Sequence, residues 1–151
     1  MKFKECLEEG KLVRIDFGGK AAETERLEAE HDLAAAAESL AGGEYKWAII
    51  QAYYAAFHSC KAFVFEAGYR EKSHDCLVAA WEELGPKKPL VPRFKRLKAL
   101  REQSDYGCSY SKEDAAEAVE IARQIIVANT GSHPPRTPLN RAELIRWQGN
   151  R

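Results

Sequence analysis

The chain has 151 residues, of which 45% are hydrophobic and 30% charged, and its 23 basic residues are balanced by 23 acidic ones. This length predicts one domain that is large enough to bury a core. The balanced charge gives no argument for nucleic acid or for an acidic partner. The longest apolar run, 47–57, is broken by Gln51 and is too short to span a bilayer. No signal peptide pattern is present, and we expect a cytoplasmic protein with no membrane association.

The cysteines are far apart in the sequence, and none of them forms a C-x-x-C pair. They are Cys6, Cys60, Cys76 and Cys108. Cys60 and Cys76 lie in apolar stretches of predicted helix. We therefore expect four reduced thiols in a cytosolic protein, with neither a metal site nor a cofactor.

The N-terminal half of the chain is predicted to be helical. A short helix over 3–9 ends at Gly10, and a helix over 22–40 ends at the Gly42-Gly43 pair. The central helix covers 45–67 and ends at Gly68. The residues expected on the apolar face of helix 22–40 are Leu27, Leu33, Ala34, Ala37 and Leu40.

Three further helices follow, over 73–84, from 93 to 105, and over 111–129. Ser73 and Ser111 are the predicted N-caps of the first and third of these. The apolar face of helix 111–129 is expected to contain Ala115, Ala118, Val119, Ala122, Ile125 and Ile126. No run is typical of a sheet, and the connections are short. The pattern predicts an all-α, antiparallel up-and-down bundle of about five helices over 1–129.

A Pro- and Arg-rich extension is predicted over 130–151. Its first part, TGSHPPRTPLNR, has no core-forming pattern. Residues 142–147 could form one or two helical turns. We expect this extension to be flexible or to dock on the outside of the bundle.

A polar line runs along the otherwise apolar central helix. At 100° per residue, Gln51, Tyr54, His58 and Lys61 fall within about 80° of one another. A helix this apolar is central in its domain, so the line faces either solvent or a site shared with another helix. His58 could be a general acid or base, or a hydrogen-bonded structural histidine, because no nucleophile motif accompanies it.

Arg101 is predicted on the apolar side of its helix, and a guanidinium directed at a core needs a partner. Asp105, four residues later, lies on the same face. Two interpretations stay open: a buried Arg–Asp clamp between helices, or a polar cleft in which Arg101 binds a phosphate. If the pair is buried, replacing either residue by alanine should cost on the order of 1–3 kcal/mol.

A second candidate for phosphate binding is the turn before helix 73–84. It contains Arg70, Lys72 and His74, and a helix N-terminus attracts anions. The alternative is an exposed loop that begins a helix. Seven Lys or Arg residues and no acid lie between 86 and 101, which indicates either a phosphate contact or a solvated helix face.

Two segments together resemble a HEPN-domain protein. They are AIIQAYYAAFHSCKAFVFEAGYREKSHDCL, within the central region, and LREQSDYG at 100–107. The likeness is to the archaeal and bacterial branch with an A-Y-Y-A-x-F-H helix and a later R-x-x-x-D-Y, and it covers about 23–129. It implies an antiparallel helical bundle that is often a homodimer. Such domains are frequently encoded beside, or fused to, minimal nucleotidyltransferases as toxin–antitoxin pairs.

The resemblance has a second implication, because many HEPN domains are metal-independent ribonucleases with an R-x4-6-H motif. The His and Arg of two protomers then meet in a dimer cleft and cleave RNA through its 2′-hydroxyl. In this chain, four residues separate Arg101 from Tyr106, so the motif position holds a tyrosine and not a histidine. Only three residues separate Arg70 from His74. A phenol, with a pKa of about 10, is a much poorer general base at neutral pH than an imidazole.

The resemblance therefore implies a cleft with a degenerate motif. It would contain Arg101, Asp105 and Tyr106 with Tyr54 and His58, and its rim would contain Arg70, Lys72 and His74. Our first hypothesis is a homodimeric HEPN module that binds a nucleotide, RNA or a nucleotidyltransferase partner without efficient cleavage. The alternatives are a ribonuclease toxin that uses Arg101 and Tyr106, and an accessory subunit whose polar line determines dimer register.

Overall fold

The structure is a computed structural model that describes residues 1–16, 19–86, 89–131 and 140–149. Its elements in chain order are α1 (Phe3–Glu8), β1 (Leu12–Arg14), α2 (Gly19–Ala41), α3 (Tyr45–Glu66), β2 (Tyr69–Glu71), α4 (His74–Leu84), α5 (Leu90–Tyr106), α6 (Lys112–Thr130) and α7 (Arg141–Gly149).

The predicted all-α bundle is confirmed, and α2 to α6 correspond to its five helices. Ser73 and Ser111 cap α4 and α6 as expected, since their hydroxyls accept from the backbone N–H groups of Cys76 and Asp114. Helix α5 begins two residues before Pro92, although we placed its start after that proline. Proline fits there because the first N–H groups of a helix have no intrahelical acceptor.

Helix α3 is the centre of the bundle and packs against α2, α4, α5 and α6. Tyr53 of α3, Trp81 of α4 and Phe94 of α5 are among the largest fully buried side chains. The ring of Phe94 lies 5.9 Å, between centroids, from each of the other two. This aromatic cluster joins three helices and places Tyr53 directly beneath α5.

Helix α2 runs antiparallel to α3 after a tight turn in which Gly43 has a φ of +79°, a conformation that favours glycine. Its predicted apolar face is wrong in part, because Leu27 is 59% exposed and Ala34 and Ala37 are also exposed. The buried residues are instead alanines at a spacing of seven: Ala22, Ala29 and Ala36. Small side chains there let α2 approach α3 closely. The predicted face of α6 is confirmed, with Ile126 only partly buried.

A two-stranded antiparallel sheet corrects our expectation that no strand would form. β1 pairs with β2 so that Val13 lies opposite Arg70 and Leu12 lies opposite Glu71. Each strand has three residues, which is too short for a periodicity to be recognised in the sequence.

The cysteine prediction is wrong for two of the four thiols. Cys6 of α1 and Cys76 of α4 form a disulfide, with 5.7 Å between their Cα atoms, and both are buried. Cys60 and Cys108 are free, the first buried and the second exposed. The pairing depends on α1 folding onto α4, which no local pattern in the sequence indicates.

The C-terminal helix α7 contacts the bundle through its first turn. Asn140 and Glu143 form reciprocal side-chain to backbone hydrogen bonds of 3.3 and 2.9 Å at its start. A carboxylate oxygen of Glu143 lies 3.4 Å from Nη1 of Arg14. Residues 132–139, 150 and 151 of the predicted extension lie outside the described residues. Within the described part of the chain, no helix is both long and apolar enough to cross a membrane.

Candidate functional site

Arg101 lies on an aromatic surface formed by α5 and α3. Its guanidinium carbon is 4.7 Å from the ring centroid of Tyr53, which is buried. This is a cation–π contact between the two helices. We use the name Arg101 surface for Arg101, Tyr53, Tyr54 and Phe57.

The Arg101–Asp105 pair predicted from the spacing is present, with 3.5 Å between Nε and Oδ2. The two side chains are 18% and 33% exposed, so the pair is partly solvated. Nε of Arg101 is buried and has no hydrogen-bond partner among the described residues. Both residues belong to α5, and it is Tyr53, not Asp105, that links Arg101 to a second helix.

Of the exposed tyrosines near α5, Tyr54 belongs to this surface. Tyr106 does not, because it lies five positions after Arg101 and therefore about 140° away around the helix. The Tyr54 ring lies 5.3 Å from that of Tyr53 and the residue is 38% exposed, whereas Tyr106, in the last turn of α5, is 80% exposed. Solvent-exposed aromatic rings near a guanidinium are a combination on which nucleobases stack. The Arg101 surface therefore offers both a cation and a stacking face to a ligand.

His58 faces α2 and not Arg101. Its Nδ1 forms a short hydrogen bond with a carboxylate oxygen of Glu25, and its Nε2 lies 3.8 Å from Oδ2 of Asp32. Its ring lies 6.4 Å from that of Tyr54, so His58 adjoins the Arg101 surface at one edge. The two carboxylates orient the imidazole, which favours the structural interpretation of this histidine.

An acidic cluster surrounds His58 between α2, α3 and β2. Lys61 lies 3.8 Å from Glu25 and 3.4 Å from Glu71. Burial raises the pKa of Asp32 above its usual value and outweighs the opposing effect of His58. Three carboxylates against one lysine and one histidine make this cluster a poor site for phosphate. Among the described residues, no group of three His, Cys, Asp or Glu side chains could hold a metal ion.

The polar line of α3 thus mainly faces α2. Gln51 hydrogen-bonds the Ser39 hydroxyl over 2.7 Å, and His58 and Lys61 pair with acids as described above. Of the four residues in the line, Tyr54 is the exposed one. The line contributes one ring to the Arg101 surface and otherwise fixes α2 on α3.

The structure separates the three residues predicted at the rim. The His74 ring lies 4.7 Å from that of Phe57, so His74 borders the Arg101 surface. Arg70 and Lys72 instead line a different cavity of about 680 Å³, next to Arg14 and Arg146. We call this cavity the basic cleft.

The sequence does not indicate that Arg14 and Arg146 lie beside Arg70 and Lys72. Arg14 lies on β1 and Arg146 on α7, so 132 positions separate them in the chain. No local spacing identifies a site whose walls come from three distant segments. The alternation of charge at Arg70, Glu71 and Lys72 was the one available signal.

Comparison with known proteins supports the assignment of the family. No curated protein matches the chain closely enough to count as a relative. The sequence model of the HEPN domain matches residues 22–130, which cover α2 to α6 and hence the whole Arg101 surface. Of the basic cleft, β1 and α7 lie outside this match, whereas β2 lies within it. Because the match extends over well more than half of the sequence, the chain belongs to the HEPN-domain family.

Proposed function

We propose that this HEPN-domain protein binds RNA or a nucleotide through the Arg101 surface and does not cleave RNA. The observation that carries the proposal is the guanidinium of Arg101 on the Tyr53 ring, beside the exposed ring of Tyr54. A cation can bind phosphate oxygens while an exposed tyrosine stacks on a base, without regard to sequence.

The absence of cleavage is proposed from the residues around Arg101. In the described ranges, no imidazole contacts Arg101, since His58 is held by acids of α2 and His74 packs on Phe57. The motif position carries Tyr106, and a phenol accepts a proton poorly at neutral pH. Binding requires neither a general base nor a metal ion.

Binding would be tested with a fluorescently labelled single-stranded RNA pool, by anisotropy at low salt. We expect Arg101→Ala to weaken binding by about tenfold, because a charge-assisted contact is worth roughly 1.5–3 kcal/mol. Arg123→Ala is the matched control: this arginine also pairs with an acid on its own helix, at 3.1 Å, and is 58% exposed. Equal affinity for the wild type and Arg101→Ala would contradict the proposal.

The alternative function is a metal-independent ribonuclease toxin that uses Arg101 and Tyr106. It is favoured by one observation, the high exposure of Tyr106 on the same helix as Arg101. The RNA pool would be incubated with the protein in EDTA, and we expect it to stay intact. Cleavage by the wild type that is lost in both Arg101→Ala and Tyr106→Phe would establish the alternative.

We further propose a cytoplasmic homodimer that works with a minimal nucleotidyltransferase in a toxin–antitoxin-like system. The dimer is supported by Trp47 of α3, which is 53% exposed; Tyr54, seven residues further along the same face and 38% exposed, would lie at the edge of the contact, beside the Arg101 surface. Large exposed aromatic side chains on one helix face are typical of protein contacts. The nucleotidyltransferase rests on the family resemblance alone.

The dimer would be tested by light scattering of the wild type and of Trp47→Glu. A charge at the centre of an apolar contact is costly, so we expect the wild type to be dimeric and the variant monomeric. Val127→Glu is the control, since Val127 is 65% exposed on a different helix, α6. A monomeric wild type would exclude this arrangement. A stable dimer that binds no RNA would instead favour the accessory-subunit hypothesis.

A further inference from the structure

We propose that the basic cleft binds a small organic diphosphate, at a site separate from the Arg101 surface. The cleft is lined by Arg14, Arg70, Lys72 and Arg146, and Glu143 is the one carboxylate among the lining residues that the structure describes. This proposal does not depend on RNA binding, because the two surfaces share no residue.

The charged side chains of the short strand β2 and of the residue after it lie on two different faces. Glu71 turns inward, is 8% exposed and lies 3.4 Å from Nζ of Lys61 on α3. Since successive side chains of a strand point to opposite faces, Arg70 and Lys72 are directed away from α3. Both are exposed and both line the basic cleft. Arg70 of β2 and Lys72, the residue after the strand, therefore lie on one face, and Glu71 is paired with Lys61 on the other.

Helix α7 closes the opposite side of the cleft with one further cation, Arg146. Glu143, one turn earlier, is occupied with Arg14 at 3.4 Å. Among the described residues, Arg70, Lys72 and Arg146 form no ion pair with an acid. Like charges brought together without acids between them are destabilising unless an anion joins them, so this arrangement favours an anionic ligand.

The number of cations and the lining indicate the ligand's class. Guanidinium groups bind phosphate oxygens in pairs of parallel hydrogen bonds, and a phosphate group offers more acceptor oxygens to several cations than a carboxylate does. The three cations beyond the Arg14–Glu143 pair are close in number to the charge of an organic diphosphate, whose inner phosphate carries about −1 and whose terminal phosphate carries roughly −1.5 to −2. Leu7, Val13 and Ile15 add apolar walls, and about 680 Å³ is the size of a small-molecule site. The ligand is thus a diphosphate attached to a small organic group.

The experiment uses calorimetric titration of the full chain at low salt with inorganic pyrophosphate and with ADP. We expect saturable binding of both, and tighter binding of ADP because its organic part contacts the apolar walls. Arg70→Ala/Lys72→Ala should weaken binding by about tenfold or more. The control Arg93→Ala/Lys95→Ala removes the same two residue types at the same spacing from the exposed face of α5 and should bind as the wild type does.

The second test looks for a gain of affinity, because a misfolded variant would bind more weakly and not more tightly. Glu143→Gln removes the negative charge of a lining carboxylate that repels an anion, so we expect binding to become a few-fold tighter. Arg101→Ala should leave binding of pyrophosphate unchanged, and the ADP binding that this variant retains belongs to the basic cleft and not to the site proposed for RNA or a nucleotide at the Arg101 surface.

Three results would overturn the proposal. They are no binding of pyrophosphate or ADP by the wild type, an equal loss in both double variants, and weaker binding by Glu143→Gln. In the first of these cases, loss of RNA binding in Arg70→Ala/Lys72→Ala would show that the cleft contacts RNA instead.

Discussion

Asp32 shows how burial and charge compete at a single residue. The largest influence on its carboxyl group is desolvation, which raises its pKa, while the nearby His58 lowers it and Glu28 raises it. The net direction is upward from the ordinary value of 3.8. The folded protein therefore holds a proton on Asp32 more tightly than the unfolded chain does. The contribution of this group to stability is fully present below pH 3.8 and is lost as the pH rises through the folded-state pKa.

Replacing Asp32 by asparagine should make the protein more stable than the wild type at about pH 7, with the difference shrinking towards about pH 3. The reason is that asparagine has the shape of aspartate but never carries the charge that burial disfavours. Urea unfolding over a pH series would measure the difference in unfolding free energy. Glu30→Gln, an exposed carboxylate on the same helix, is the control and should show no such trend. A difference that is constant with pH would count against this explanation.

At the scale of helices, α5 is attached to its two neighbours by different kinds of contact. Arg101 and Phe94 pack on Tyr53 of α3. Towards α6, the Arg96 guanidinium donates two hydrogen bonds, of 3.0 and 3.1 Å, to the carboxylate of Glu117. The hydrogen bond from Arg96 lowers the pKa of Glu117. The Arg96–Glu117 pair is exposed and solvated, so it should contribute less to stability than the packing of Arg101 and Phe94 on α3.

We predict unequal costs for the two members of the Arg101–Asp105 pair, although the sequence alone predicted similar ones. Arg101→Ala removes the contact with Tyr53 and should cost about 1–2 kcal/mol. Asp105→Ala removes a partly solvated pair within one helix and should cost about 0.5 kcal/mol or less. Chemical denaturation of both variants would test this. Equal losses of unfolding free energy near 2 kcal/mol would instead support a buried Arg–Asp clamp between helices.

Across the whole molecule, the disulfide connects the N-terminal helix to the middle of the chain. Cys6 and Cys76 are separated by 70 positions, so the bridge constrains a long loop in the unfolded state. Cytosolic reductants keep most thiols reduced, which would make this part of the stability dependent on redox conditions in a cytoplasmic protein. The free Cys60 is buried, and burial raises the pKa of its thiol.

Reduction should lower the free energy of unfolding by about 2–4 kcal/mol, because the loop entropy of the unfolded chain is restored. Cys6→Ser should show a similar loss and no further response to reductant. Alkylation followed by mass spectrometry gives an independent check. Without reductant, we expect the folded protein to react at Cys108 alone and the denatured protein to react also at Cys60. Reaction at Cys6 or Cys76 in the unreduced, denatured protein would show that the bridge is absent.

The sequence by itself determined the helices, their caps and the buried face of α6. These features depend on residues within about four positions of one another, so they are visible in the order of the chain. The same local rule identified the Arg101–Asp105 pair, and the spacing of two segments indicated the family that the domain match supports.

Only the tertiary structure decided which distant residues meet. In the structure, β1 pairs with β2 and Cys6 pairs with Cys76. The polar line of α3 faces α2, and Arg70 and Lys72 lie in a cleft with Arg146 and not at the expected rim. Three alanines of α2 are buried, whereas Leu27, which was predicted on the apolar face, is exposed. Each of these contacts joins segments far apart in the chain, and its energy depends on how whole helices pack and not on any local pattern.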